Sequence, residues 1–166
     1  MAQPVRSATS RKPHWLDGDE QRAWRAVAAM MTKLRSALDC QLERDADLSF
    51  IEYHALARLS EEPGHTLRMS QLAALTDASL SRLSHLVKRL ELRGLVRREP
   101  DPTDGRFTNA ILTDTGYSKL VASAPAHAAA VRALVIDPFD ATELGQLLGA
   151  SERILARIEA SDWNRH

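Results

Sequence analysis

The chain has 166 residues, 44% of them hydrophobic and 27% charged, and its 22 basic side chains balance 22 acidic ones to a formal net charge of zero. This length fits one domain with its own core, and this composition excludes global disorder and collagen-like repeats. Charged residues interrupt the apolar stretches, so none is expected to approach the roughly 20 apolar residues of a membrane span. No apolar block follows the basic residues of Met1 to Lys12, which reads as a chain without a secretory signal and with a cytoplasmic location.

Residues 1–17 carry Pro4 and Pro13 among small polar side chains, without a period, and read as a mobile arm. Residues 18–161 read as a single domain. From Asp19 to Arg44, Trp24, Val27, Met31, Leu34 and Leu38 recur at helical spacing and predict a long amphipathic first helix. Ser49 and Glu52 stand at capping-box spacing, and Leu48 and Tyr53 fit a hydrophobic staple, so a second helix starts at Ser49 and stops before Pro63-Gly64. Ser70 is the expected cap of a short third helix that buries Leu72, Ala73 and Leu75.

Ser79 then caps a fourth helix that runs to Arg93, with Leu80, Leu83, Val87 and Leu90 on its buried face and Gly94 as a left-handed terminator. The opposite face carries Ser81, Arg82, Ser84, His85, Lys88 and Arg89, all hydrogen-bonding or cationic. Between Ser79 and Arg98 the basic residues Arg82, Lys88, Arg89, Arg93, Arg97 and Arg98 face only Glu91, so the neutral chain concentrates positive charge here. Leu95 to Glu99 and Phe107 to Leu112 are short β-prone runs on either side of the turn-forming Pro100 to Arg106, and predict a hairpin. Thr113 caps a helix to about Val135, kinked or broken at Pro125; after a break at Pro138, Asp140 and Glu143 open a last helix striped with Leu144, Leu147, Leu148, Ile154, Leu155 and Ile158.

A short helix and a turn before a helix with a polar, cationic face make a helix-turn-helix arrangement. A major groove about 12 Å wide admits one helix, whose Arg, His and Ser side chains read base edges while neighbouring cations meet phosphates. A hairpin tip carrying Arg106 beside Asp104 places an oriented guanidinium where the negative potential of a minor groove attracts it, and the hairpin reads as a two-stranded wing.

The run Leu90-Glu91-Leu92-Arg93-Gly94-Leu95-Val96-Arg97-Arg98, followed by Asp101-Pro102-Thr103-Asp104-Gly105-Arg106 and by Leu112-Thr113-Asp114-Thr115-Gly116, resembles the signature of the MarR-type winged helix-turn-helix transcriptional regulators. The resemblance implies a mainly α (α+β) fold in which a winged-helix lobe, residues 45–113, is flanked by dimerisation helices at 18–44 and 114–161. It implies a homodimeric regulator on a pseudo-palindromic double-stranded DNA site, a repressor relieved by a small aromatic or amphipathic effector, with no cofactor and no membrane partner. Carried over by position, Ser81, Arg82, Ser84 and His85 face bases, while Ser70, Gln71, Lys88 and Arg89 face phosphate or neighbouring bases. Ser79 and Arg98 complete the contact set, Arg106 enters the minor groove and Asp104 shapes the wing. Gly105 departs from the pattern, because many relatives carry a further basic residue there.

Trp24, Met31 and Tyr53 are candidates for lining an effector pocket, with Met30 beside them, although their spacing also suits core packing. Cys40, the only cysteine, is a candidate redox thiol that would need an external thiol or a second chain as partner. The six histidines show no pair at helical ligand spacing, so no metal site is expected. No nucleophile elbow, zinc-binding helix motif or phosphate-cradling glycine loop points to an enzyme. The alternative to DNA binding is a winged helix that meets an acidic protein instead.

Overall fold

The computed structural model describes residues 14–161, so most of the proposed N-terminal arm lies outside the described residues. Six α-helices and three strands follow in the order α1 (Gly18–Ala46), α2 (Phe50–Glu61), β1 (Thr66–Arg68), α3 (Met69–Leu75), α4 (Leu80–Leu92), β2 (Val96–Pro100), β3 (Thr108–Leu112), α5 (Asp114–Val131) and α6 (Ala141–Glu159). The chain divides into two units at Lys33/Leu34, inside α1, where the sequence suggests one domain. In the first unit Trp24, Met30 and Met31 are exposed.

In the second unit local chemistry sets most of the boundaries. Ser49 and Glu52 make the reciprocal capping box of α2, and the Asp140 and Glu143 side chains each accept the other's backbone N–H at 2.9 Å to open α6. Thr113 Oγ1 accepts the Gly116 N–H at 3.0 Å at the start of α5. Gly94, at φ +69°, ends α4, with its N–H on the Glu91 carbonyl and the Leu95 N–H on the Leu90 carbonyl, both at 2.9 Å.

The core gathers Leu56 and Leu59 of α2, Leu72 of α3, Leu83, Leu86, Val87 and Leu90 of α4, and Val96, Ala110 and Leu112 of the sheet. Leu86, not Leu80, joins this face: Leu80 is the first residue of α4, and it remains 56% exposed while Leu86 is buried.

The wing strands pair antiparallel from Val96↔Leu112 to Pro100↔Thr108. A third strand unforeseen in the sequence, β1, pairs with β3 on its other side, giving the order β1-β3-β2. Three residues are too short for alternation to announce a strand. Pro125 lies within α5 and does not break it; the helix ends instead in a π-helical turn, Arg132–Ile136, and Pro138 stands in the gap before α6.

Charge does not interrupt every apolar stretch as the sequence suggests. Asp114–Ile136 is long and apolar enough to cross a membrane by length and composition alone. Between Lys119 and Arg132 no Asp, Glu, Lys or Arg intervenes, and alanines are the commonest residue there. Leu120, Ser123 and His127 of this segment are buried in the protein, and α5 packs on α2.

Candidate nucleic-acid interface

The fourth helix presents its polar face to solvent. Ser79 Oγ accepts the Arg82 N–H at 3.3 Å, which starts α4 at Leu80 and sets the phase of all that follows. Burying Leu83, Leu86, Val87 and Leu90 leaves Ser81, Arg82, His85, Lys88 and Arg89 exposed and Ser84 half-buried. The preceding α3 starts two residues earlier than the sequence suggests. Arg68 is its N-cap, and the Arg68 N–H donates to Gln71 Oε1 at 3.1 Å, so Ser70 is an exposed first-turn residue and not the cap.

The wing tip is a set of nested turns around two carboxylates. Asp104 grips Arg106 through Nε at 2.9 Å and Nη2 at 2.7 Å, and its Oδ1 also accepts the Arg106 N–H at 3.1 Å. The pairing holds the Asp104 carboxyl below its usual range and leaves the Arg106 side chain 86% exposed. An oriented yet solvent-facing guanidinium is thus built into the tip, as the sequence predicts.

Beneath it, the buried Asp101 accepts from the Thr103 hydroxyl at 2.5 Å, the Thr103 N–H at 2.8 Å, the Asp104 N–H at 3.2 Å and Arg68 Nε at 2.8 Å. The Thr103 and Arg68 bonds hold its carboxyl far below the ordinary aspartate value. The Arg68 guanidinium also lies 4.7 Å from the centre of the Phe107 ring. An open cleft of about 350 Å³ joins the two parts of the site, lined among others by Ser70, Leu80 and Ser84 on the helix side and by Arg98, Arg106 and Phe107 on the wing side.

The basic stretch divides into two sets. Arg89 Nε reaches the buried Glu52 at 3.2 Å, and Arg93 lies 3.8 Å from the same carboxylate while pairing with Asp47 at 3.0 Å. Arg98 forks onto Glu91 at 2.6 and 3.0 Å, and Arg97 pairs with Glu99. Among the described residues, Arg82 and Lys88 make no ion pair, and Arg106 is paired only within the tip. Arg89 and Arg98, taken from the sequence as DNA contacts, each begin from an intramolecular carboxylate.

Glu52 ties α4 to α2. Burial pushes its carboxyl up, but the Ser49 N–H and hydroxyl and the Arg89 guanidinium outweigh this, and the carboxyl sits below its usual range. Glu52→Gln is therefore expected to cost about 1–2 kcal/mol at neutral pH, a figure reduced because Arg89 is more than half exposed. A carboxyl with a depressed folded pKa stabilises above its unfolded value, here the ordinary 4.5, and loses that contribution as pH falls through the lower folded value. Denaturation midpoints of the two proteins should converge only in that acid range. A constant difference down to complete protonation would rule out the charge as its source.

Tyr53 packs its ring 4.4 Å from that of His127, whose Nδ1 lies 3.1 Å from Gln41 Oε1, and burial lowers the His127 pKa. A cavity of about 190 Å³ is lined by Arg35, Phe50, Ile51, His54, Leu75, Thr76 and Asp77, and Tyr53 is not among its walls. Trp24 and Met31 belong to the unit before Leu34 and are exposed there. Cys40 is an exposed free thiol on α1.

Four residues of the site escaped the sequence reading: Arg68, Asp101 and Phe107 under the wing, and Glu52 as partner of Arg89. The Asp-Pro-Thr run was the available signal for Asp101, because an Asx side chain commonly bonds the backbone two residues on.

The sequence model of the MarR family matches residues 46–106, the stretch from the end of α1 through the wing tip. A crystal structure of Sco3205, a MarR family transcriptional regulator from Streptomyces coelicolor, in complex with DNA, is similar at 43% identity and a TM-score of 0.84, over 91% of this chain and 94% of that one. AbsC, a MarR family transcriptional regulator from the same organism, is similar at 36% identity and a TM-score of 0.85, over 90% of this chain and all of that one. The transcriptional regulator HosA of Escherichia coli O111:H- is 30% identical over 113 residues, which cover 68% of this chain and 75% of that protein.

Proposed function

Because the chain belongs to the MarR family of transcriptional regulators, we propose that it is a homodimer that binds a pseudo-palindromic double-stranded DNA site and acts as a repressor released by a small aromatic or amphipathic effector. The observation that carries the DNA-binding part is the cleft that α4 and the wing share. Ser84 on α4 and Arg106 on the wing line that cleft, Arg106 being exposed and oriented by Asp104, and Ser81, Arg82, His85 and Lys88 continue the exposed face of α4 outside it. A helix face of this kind suits base edges and a fixed guanidinium suits a narrow minor groove. In this reading Ser79, Ser70 and Gln71 lie at helix starts close to the backbone, and Arg89 and Arg98 reach phosphates only by leaving Glu52 and Glu91. The Sco3205 complex with DNA supports the same use of the fold.

Selection of duplexes from a random pool by the purified full chain, repeated at two salt concentrations, tests this reading. A two-fold consensus with half-sites about one helical turn apart is the expected result. Salt-sensitive binding without a consensus would reject it and favour the basic face as a surface for an acidic protein.

The selected duplex then separates the two halves of the site. Arg82→Ala or His85→Ala should change which base is preferred, at about 1–3 kcal/mol per lost base contact, whereas Arg106→Ala should weaken all duplexes alike and flatten the salt dependence. Unchanged low-salt affinity in Arg106→Ala would remove the wing from the interface.

A further inference from the structure

Between Asp101 and Phe107 the wing tip bonds almost entirely to itself. Asp101 holds Thr103 and Asp104, Asp104 holds Arg106, the Asp101 N–H reaches the Phe107 carbonyl at 2.9 Å and the Phe107 N–H reaches the Asp104 carbonyl at 3.0 Å. Such a tip is bonded within itself, and beyond the Arg68↔Asn109 pair, where β1 ends, it is carried by β2 and β3 alone. Among the described residues, one side chain from outside the hairpin bonds to the tip. That residue is Arg68, through Asp101 at 2.8 Å and over the Phe107 ring at 4.7 Å.

Arg68 stands where it can transmit a position. It is the last residue of β1, in register with Asn109 of β3, and also the N-cap of α3, where its N–H is held by Gln71. We infer that Arg68 is a positioning residue for the wing: by gripping Asp101 with one edge of its guanidinium and covering Phe107 with the flat face, it sets where Arg106 stands relative to α4. This role rests on the DNA-binding reading above. The two contacts need a planar, forked cation, which a lysine supplies only in part.

The alternative is that Arg68, whose side chain is 38% exposed, touches DNA for itself. A double-mutant cycle separates the two. Affinity and salt slope are measured on the duplex selected by the wild-type chain, for Arg68→Gln, Arg106→Ala and both together, with Arg68→Lys and Phe107→Leu as milder variants. Thermal midpoints establish that each is folded. If Arg68 acts through Arg106, Arg68→Gln weakens binding up to about tenfold and lowers the salt slope by about 1, as Arg106→Ala does. The double variant is then no weaker than Arg106→Ala alone, Arg68→Lys recovers part of the loss, and base preferences set by Arg82 and His85 do not move. Effects that multiply in the double variant would overturn the inference in favour of direct contact, and an unchanged affinity and slope in Arg68→Gln would overturn it outright.

A readout without DNA keeps this result distinct from failure of the DNA-binding reading. Hydrogen exchange at the amides of Thr103, Asp104 and Arg106, all bonded within the tip, should speed up in Arg68→Gln and in Phe107→Leu while the core amides of α4 stay protected. If the wild-type chain selects no duplex, the DNA-binding reading falls and exchange alone decides. Unchanged exchange at the tip would show that Arg68 does not hold it.

Discussion

Gly116→Ala is expected to destabilise the fold by about 3 kcal/mol or more, the upper range for forcing an atom into a packed interior. A Cβ at this position would stand 2.0 Å from the Leu95 carbonyl oxygen, 2.7 Å from Leu112 Cδ1 and 2.9 Å from the Leu95 carbonyl carbon. The side chain of Leu112 could move, but the Leu95 backbone cannot yield cheaply. Its carbonyl accepts the Thr113 N–H at 3.1 Å, and its N–H closes the left-handed turn that ends α4. Displacing Leu95 therefore disturbs the end of α4, the start of β2 and the cap of α5 together.

This explains the glycine of the Leu112-Thr113-Asp114-Thr115-Gly116 run by close approach alone. Gly105 makes the control, because a Cβ there meets nothing within 4 Å. Denaturant midpoints of the two alanine variants should differ widely, and a Gly116→Ala protein as stable as Gly105→Ala would show that the α5 cap has room the structure denies.

The contrast between those two glycines marks what was legible in the sequence. Most features decided within three or four residues can be read directly: the Ser49 and Glu52 box, the Ser79 cap, the Thr113 cap, the Asp140 and Glu143 box and the Gly94 terminator all stand where spacing puts them, the cap of α3, Arg68 in place of Ser70, being the exception. The Asp104 and Arg106 pair, two residues apart, belongs to the same class. Features decided across the fold could not. Arg68 meets Asp101 over 33 positions and Arg89 meets Glu52 over 37, and no periodicity records such a partner. The basic stretch is legible as charge, but its intramolecular partners Glu52 and Glu91, which occupy part of it, are not. The same limit applies to β1, which exists only because β3 pairs with it, and to Leu80, whose place in the helical stripe says nothing about whether a neighbour covers it.

If the chain is the homodimer proposed above, Leu155→Glu is expected to convert it into a monomer and to lower affinity for a two-fold DNA site by about 10²–10⁴, the gain normally obtained by joining two half-site contacts. Helix α6 has 19 residues, none of them buried within one chain. Leu148 is 60% exposed, Leu155 56%, Ile154 51% and Ile158 41%, and with Leu144 and Leu147 they form one broad stripe. An apolar side chain left in water forgoes about 1.5–3 kcal/mol of burial, and contiguous apolar patches of this kind mark association surfaces. A closed two-fold contact lets the same face of a second copy cover it. A carboxylate at Leu155 would then have to be desolvated without a partner in each half of the interface, and separation is the cheaper outcome. Leu155→Met keeps the volume and the apolar character and should keep the dimer. Sedimentation velocity, read beside duplex affinity for the wild type and both variants, decides the matter: a Leu155→Glu protein that remains dimeric and binds as tightly as the wild type would exclude this face of α6 from the dimer.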